Sequence, residues 1–307
     1  MTAREEQFVH PALFYRDERE YLAGTASFVR EGLAAGEPVA VAVPPDNLRL
    51  LQAELGPEAD GVRFLDMTRE GRNPGQIIPG VLRAFADAQP AGRVRIIGEP
   101  IWAGRSAAEY PACVQHEALI NAAFQDRPVT ILCPYDVTGL DARVLDDAYA
   151  THPTVIDAGR ESRSAAYSPE AVVDRYNEPL PVVPDAGVYV FDADSLPDAR
   201  RFAVAHASAA GMSGRPLDDL ALVTAELTTN SVVHGGGSGT LRVWSEERRV
   251  VVEVRDRGQL KDPLAGRRPP PRAQCGGRGL LLVNLLTDLV RLHTDPDGTT
   301  VRCYLGL

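Results

Sequence analysis

Short apolar runs alternate with longer amphipathic segments over the first half of this chain. Apolar runs of strand length predict buried strands, and apolar residues at a spacing of three and four predict helices. The predicted strands are 38–44, 62–67, 93–102 and 129–136, and the predicted helices are 17–37, 45–55, 74–88 and 106–124. Strands that alternate with long helices indicate βαβ units, so we predict an α/β domain with a doubly wound parallel sheet.

The carboxyl ends of these strands carry polar and aromatic residues, in the sequences PPDN, DMTRE, GEPIW and CPYD. Ligands bind doubly wound sheets beyond the carboxyl ends of their strands. Glu99 and Trp102 of GEPIW are therefore candidate ligand contacts. The pair His10 and Tyr15 is a weaker candidate and is expected to fix the first strand or turn. Cys133 is expected to be a small buried residue.

The pattern changes after residue 157. Residues 158–187 are rich in proline, serine and charge, and we predict an interdomain linker with one short helix there. A second domain follows. Its predicted helices are 195–211 and 215–234, its predicted strands are 188–192, 240–246 and 249–256, and a proline-rich loop spans 258–275. The predicted organisation is therefore domain 8–157, linker 158–187 and domain 188–307.

Composition narrows the class of protein. With 307 residues, 44% hydrophobic and 24% charged, the chain can form two folded domains. Its net charge of −10 argues against direct nucleic-acid binding and against an anionic membrane surface. No apolar stretch approaches the ~18 residues that a membrane span needs. The cysteines Cys113, Cys133, Cys275 and Cys303 are scattered, which suits a cytoplasmic protein and gives no metal or disulfide signal.

Lys261 is the sole lysine of the chain and lies in GQLKDP. A P-loop requires GxxxxGK[ST], whose lysine reaches the terminal phosphates of a nucleotide. Any nucleotide must therefore be held in another way.

Three short sequences in the second domain carry chemistry when they are taken in order: ELTTN on a helix, VRDRG at a strand end and GGRGL at the start of a helix. Glu226 could act as a general base, and the amide oxygen of Asn230 suits Mg²⁺ beside a phosphate. Asp256 could accept a hydrogen bond from an exocyclic amine, and Gly258 would let the backbone turn close to the base. The glycines Gly276, Gly277 and Gly279 lead into a helix N-terminus that favours phosphate, where Arg278 adds positive charge.

This ordered set resembles the GHKL ATPase family over about residues 188–307. Glu226–Asn230 matches the family's N box, Asp256–Gly258 its first glycine box and Gly277–Gly279 its second. Thr300 matches the threonine that supports the adenine-binding aspartate in the family. The resemblance implies a two-layer α+β (Bergerat) fold that binds ATP and Mg²⁺.

Within that family, the compact domain and the helix LPDARRFAVAHASAAG look most like the anti-sigma-factor serine kinases. The resemblance implies a sigma factor and an anti-sigma antagonist as partners, with phosphorylation of a serine on the antagonist. It also implies that Glu226 is the general base and that Asn230 holds Mg²⁺, and relatives of the domain suggest a homodimer. Histidine kinases fit less well, because His10, His116, His152 and His206 all lack the surroundings of a phosphoacceptor in a helical hairpin.

The first domain resembles the MEDS sensory domain over about residues 8–157, through the opening HPALFY…PVAVAVP, GEPIW, CPYD and THPTVID. This resemblance implies a RecA-like fold without Walker A, used to sense a small molecule or a protein partner. Two other functions remain open at this point. The second domain could be a non-catalytic switch whose nucleotide sets partner affinity, or a degenerate ATPase that serves only as a dimerisation platform for the sensor.

Overall fold

A computed structural model describes residues 8–89, 92–268 and 277–307. The chain divides into two compact units between Tyr176 and Asn177. Cys275 and Gly276, together with most of the proline-rich loop's second half, lie outside the described residues.

The first unit is an α/β structure whose sheet is mostly parallel, as the alternating pattern predicts. Its described strands are β1 (Pro11–Tyr15), β2 (Val39–Val43), β3 (Val62–Asp66), β4 (Val94–Gly98), β5 (Val129–Asp136), β6 (Thr154–Asp157) and β7 (Arg160–Arg163). They form one sheet in the order β3-β2-β4-β5-β1-β6-β7, in which β7 runs antiparallel to β6 and the other neighbours are parallel.

The helices of this unit cover both faces of the sheet. They are α1 (Glu18–Ala34), α2 (Pro45–Leu55), α3 (Met67–Glu70), α4 (Pro74–Gln76), α5 (Ala84–Asp87), α6 (Tyr110–Phe124), α7 (Ala142–Thr151) and α8 (Pro169–Arg175), with a π-helical segment (Ile77–Arg83) between α4 and α5. Helices α1 and α2 pack on the face that presents Val39, Val41 and Val43. The opposite face carries Cys133, which lies against His10 and near α6.

The second unit is an antiparallel sheet with helices. Its elements are β8 (Gly187–Asp192), α9 (Leu196–Ala209), α10 (Arg215–His234), β9 (Ser238–Glu246), β10 (Arg249–Asp256), α11 (Gly279–Leu286), β11 (Leu289–Asp295) and β12 (Gly298–Gly306), and the strand order is β11-β12-β10-β9-β8. Alternate residues of β10 and β12 share one apolar core with Leu220, Val223 and Leu227 of α10. The finer RecA-like and Bergerat assignments stay predictions.

The segment 158–187, expected to be a linker, is divided between the two units. Its first part forms β7 and α8, and Tyr176 and Arg175 both contact the buried carboxylate of Asp147. Its last part belongs to the second unit, where Asn177 bonds to the backbone of Thr294 and the carbonyl of Pro181 accepts from Arg302. Much of the predicted linker is therefore ordered structure within one unit or the other.

Candidate functional site

Helix α10 presents two different faces. Leu220, Val223 and Leu227 are buried against the sheet, and the hydroxyls of Thr224, Thr228 and Ser231 bond to the carbonyls four residues earlier. Glu226 and Asn230 lie one helical turn apart and are half-buried. The face of α10 that carries Glu226 and Asn230 is therefore only partly exposed to solvent.

The start of α11 lies directly against these two side chains. A Cβ atom placed on Gly279 would be 2.7 Å from Glu226 Oε2 and 3.1 Å from Asn230 Nδ2. The absence of a side chain at Gly279 therefore lets a carboxylate, an amide and a helix N-terminus meet. Gly277 has a φ of +78° and Arg278 is exposed just before the helix. Free backbone N–H groups at such an N-terminus favour a phosphate.

Asp256, at the end of β10, contacts the same part of α10 through Ser231. Its Oδ2 accepts from the hydroxyl of Ser231 at 2.6 Å, and its Oδ1 accepts from the backbone N–H of Gly258 at 2.8 Å. A Cβ on Gly258 would be 2.5 Å from the carbonyl oxygen of His234, so only glycine permits this approach. Each carboxylate oxygen keeps a further lone pair, which suits it to accept from a ligand amine.

The threonine assigned to Asp256 requires a correction. Thr299 is the residue opposite Asp256 in the β10–β12 register, whereas Thr300 is opposite Arg255. Successive residues of a strand point to opposite faces, and Val301 and Cys303 share the helix-facing core, so Thr299 faces the helices and Thr300 faces away. The hydroxyl of Thr299 donates to the carbonyl of Gly258 at 2.8 Å. Thr299, and not Thr300, is therefore the threonine opposite Asp256 on the helix-facing side of the sheet, and its hydroxyl holds the loop of Gly258.

The structure thus brings together most of the residues singled out in the sequence. Glu226 and Asn230 of α10 contact the start of α11 at Gly279. The next residue of α10, Ser231, bonds to Asp256, which also bonds to Gly258. Sequence reasoning missed Ser231, which follows Asn230 directly, and it missed Thr299. His234 ends α10 and is exposed, and the backbone N–H of Gly235 bonds to Ser231 O, as expected for a helix end.

Substituting Gly279 tests the close contact at the start of α11. We expect Gly279→Ala to weaken ATP binding about tenfold, because the new methyl group would push Glu226 and Asn230 away from the helix N-terminus. The same change should alter the free energy of unfolding by less than about 1 kcal/mol, since Gly279 is the first residue of α11 and the preference for alanine over glycine applies in full only to a helix interior. Titration calorimetry with ATP and thermal unfolding measure the two effects. In a Glu226→Ala background the effect of Gly279→Ala on affinity should shrink; an unchanged effect would contradict the contact.

A second candidate site lies in the first unit, at the carboxyl edge of its sheet. Glu99 follows β4 and is only 3% exposed. The amide of Asn47 donates to both of its carboxylate oxygens, at 3.0 and 2.8 Å, and the hydroxyl of Tyr15 donates to Oε1 at 3.4 Å. The predicted strand ends GEPIW and PPDN thus meet here. Trp102 is half-buried. The guanidinium carbon of Arg105 lies over the Trp102 ring, 4.1 Å from the ring centre.

Burial dominates the electrostatics of Glu99. It raises the pKa of Glu99 to about 8, while the hydrogen bonds from Asn47 and Tyr15 lower it and the charge of Asp136 adds to the rise. Burial and the neighbouring Glu99 also raise the pKa of the Tyr15 hydroxyl. A carboxyl held neutral near physiological pH, beside a phenol and an amide, can exchange hydrogen bonds with a small polar ligand.

This raised pKa makes the stability of the first unit depend on pH. Because the folded protein keeps the Glu99 proton longer than the unfolded chain, stability is full below about pH 4.5 and falls as the pH rises towards 8. We expect a loss on the order of 3 kcal/mol between pH 5 and 8, and Glu99→Gln should remove most of it. Urea unfolding at a series of pH values, followed by hydrogen exchange of the β4 amides, measures this loss of unfolding free energy. Glu18→Gln, at an exposed carboxyl, should keep the wild-type slope, and equal slopes in all three proteins would contradict the assignment.

None of the helices within residues 8–89, 92–268 and 277–307 has the length and apolar character that a membrane crossing requires.

Comparison with known families agrees with this arrangement. Residues 9–153 match the family model described as the MEthanogen/methylotroph, DcmR Sensory domain (MEDS). Residues 190–305 match the model described as a histidine kinase-like ATPase domain. No curated protein matches the chain. The two matches agree with the resemblances found in the sequence, and the chain is therefore a fusion of a MEDS domain with a histidine kinase-like ATPase domain.

Proposed function

We propose that this chain is an ATP-dependent signalling regulator of the anti-sigma type, whose second unit transfers a phosphoryl group to a serine of an antagonist protein. The observation that supports the proposal is the contact of Glu226 and Asn230 with the start of α11, where a carboxylate lies beside the N-terminus of a helix. The combination of an ATPase domain with a sensory domain supports a role in signalling.

The residues present suit ATP. Asp256 would accept the exocyclic amine of adenine, held in position by Ser231 and by Gly258. The N–H groups at the start of α11, with Gly277 before them, would hold phosphate oxygens, and Arg278 would add positive charge at the exposed rim. The side-chain oxygen of Asn230 would hold Mg²⁺, whose charge neutralises phosphate oxygens when it is bound.

Glu226 would supply the base in the transfer itself. Its carboxylate would take the proton of the acceptor serine, whose oxygen would bond to the γ-phosphorus while the bond to the β-phosphate oxygen breaks and ADP leaves. The chain adds no covalent intermediate. Its part is to hold adenine, phosphates and the acceptor hydroxyl in line.

The first unit would supply the input. Its buried Glu99, with Tyr15 and Asn47, offers a polar site for a small molecule at the sheet edge. We propose that occupancy of this site, or a partner bound to this unit, changes the affinity of the second unit for its sigma factor.

Two measurements on the full chain test the proposal. Calorimetry should detect ATP binding that weakens when Mg²⁺ is removed with a chelator. Incubation with ATP labelled on its γ-phosphate and candidate antagonists should give phosphoserine on an antagonist. ATP binding without any phosphoserine would replace the kinase by a non-catalytic switch, in which the nucleotide only sets partner affinity. A chain that binds no ATP would leave the second unit as a dimerisation platform.

A further inference from the structure

Four metal-ligating side chains that belong to neither site described above converge inside the first unit. They are His10 just before β1, Glu117 of α6, Cys133 of β5 and His152 just after α7, and all four residues are buried. One potential ligand atom from each lies within 4.8 Å of the others. The cluster therefore joins four separate elements at one point of the core.

The outer nitrogen of each histidine is fixed as a donor. Nδ1 of His152 lies 2.9 Å from the carbonyl of Ala148, so it carries the proton. Nδ1 of His10 lies 3.2 Å from Oδ1 of Asn121. The amide nitrogen of Asn121 is turned towards the carbonyls of Ala118 and Thr151, so Oδ1 is the atom that accepts from His10. Metal-bound histidines are oriented by such outer hydrogen bonds.

In their neutral forms both histidines therefore present the lone pair of Nε2 to the centre of the cluster. Nε2 of His152 lies 3.1 Å from Oε2 of Glu117, and Nε2 of His10 lies 3.4 Å from the same oxygen. Both carboxylate oxygens of Glu117 and Nε2 of His152 are buried without a hydrogen-bond partner among the described residues. When both histidines are neutral, the thiol of Cys133, 3.4 Å from Nε2 of His10, is the one donor among the four side chains at the centre of the cluster. Buried acceptors left without a donor are costly unless a cation lies between them.

The spacing of the four atoms fits a tetrahedral ion. Bonds of about 2.0–2.3 Å to nitrogen, oxygen and sulfur place neighbouring ligand atoms about 3.3–3.6 Å apart in a tetrahedron. The separations of His10 Nε2 from Glu117 Oε2 and from Cys133 Sγ are both 3.4 Å, and that of His152 Nε2 from Glu117 Oε2 is 3.1 Å. These three distances between ligand atoms are close to those of a tetrahedron, so small shifts of the side chains would let the four atoms surround one ion.

We propose that His10, Glu117, Cys133 and His152 bind one Zn²⁺ ion. A thiolate, two imidazoles and a carboxylate form a mixed ligand set that zinc accepts in tetrahedral geometry. On binding, the thiol of Cys133 gives up its proton to solvent and its sulfur bonds to the metal. Because the chain fills all four positions and the site is buried, the ion has a structural role: it ties β1 and β5 to α6 and α7. The proposal is independent of nucleotide binding by the second unit.

Metal analysis of the full, untagged chain tests the site. After growth with zinc and gel filtration, we expect about one Zn²⁺ per chain in the wild type and in Cys113→Ser, and little in Cys133→Ser or His152→Ala. Cys113 is the matched control, because it is also a buried cysteine of the first unit but lies outside the cluster. Circular dichroism and thermal unfolding show whether each variant is folded.

Cobalt substitution keeps the test valid if a variant folds poorly. The wild-type chain loaded with Co²⁺ should show a thiolate-to-metal charge-transfer absorption, and chelation should lower its unfolding midpoint reversibly. Two results would overturn the proposal. One is a folded wild-type chain that takes up neither Zn²⁺ nor Co²⁺, which would make the cluster a protonated polar network. The other is Cys133→Ser that retains full zinc content.

Discussion

Glu226→Gln is expected to lower the rate of phosphotransfer to a serine by about 10²- to 10⁴-fold, the range typical for removal of a general base. ATP affinity should stay within about threefold, because glutamine keeps the volume of glutamate and an oxygen that can lie beside Asn230 and Gly279. The amide lacks only the basicity that the transfer needs. Single-turnover transfer from labelled ATP, together with calorimetry on the same protein, separates the two quantities.

Asp218→Asn provides the control for this experiment. It removes one carboxylate from the same helix, but at the exposed first turn of α10. It should leave both rate and affinity unchanged. If Glu226→Gln reduces affinity as much as rate, Glu226 positions the nucleotide and is not the base. An unchanged rate would remove it from the reaction altogether.

Asp256→Asn is expected to weaken ATP binding by about 10- to 150-fold, which corresponds to the ~1.5–3 kcal/mol of a hydrogen bond to a charged group. The asparagine amide would present a donor where the adenine amine also donates. Preference for ATP over GTP should fall as well. Competition between the two nucleotides for a fluorescent ATP analogue measures both effects.

The same substitution affects the fold locally. The two oxygens of Asp256 accept from Ser231 and from the backbone N–H of Gly258, and asparagine, with one oxygen and no charge, can accept only one of these two bonds. We therefore expect a loss of about 1–2 kcal/mol of unfolding free energy. Ser231→Ala is the matched variant, because it removes the hydroxyl bond and keeps the carboxylate. If Ser231→Ala weakens ATP as much as Asp256→Asn, the loss arises from displaced structure and not from a lost contact with adenine.

Local patterns predicted many individual elements well. Helices α2 and α10 and strands β5 and β10 have the predicted bounds, and most of the other predicted elements end within a few residues of their predicted ends. Two differ: β4 forms only the first half of 93–102, and the predicted helix 74–88 is divided into α4, a π-helical segment and α5. Propensity and amphipathic spacing act over a few residues, so sequence carries this information directly. The short β6 and β7, by contrast, fall in sequence without a sustained apolar run. They form because β6 pairs with β1 and β7 with β6.

The predicted site residues also divide into those that local spacing identifies and those that depend on the strand register. The grouping of Glu226 with Asn230 needed only helical spacing, and Asp256 with Gly258 needed only one turn. The choice between Thr299 and Thr300 needed the strand register, because a shift of one residue moves a side chain to the other face of a sheet. The sequence order of the three motifs therefore indicated the site, while the register corrected one of its members.

The cluster of His10, Glu117, Cys133 and His152 shows what the sequence left open. Its members are separated by up to 142 residues, and none lies in a CxxC or other metal-binding spacing. They meet because β1 inserts between β5 and β6, which places His10 beside Cys133 and leaves α6 and α7 above them. The amino-acid sequence by itself determined the α/β alternation, the order of the three motifs predicted to bind nucleotide and the lack of a P-loop sequence, all of which are local. Strand order and register decided which distant side chains share a buried centre, since these depend on the packing of the whole unit.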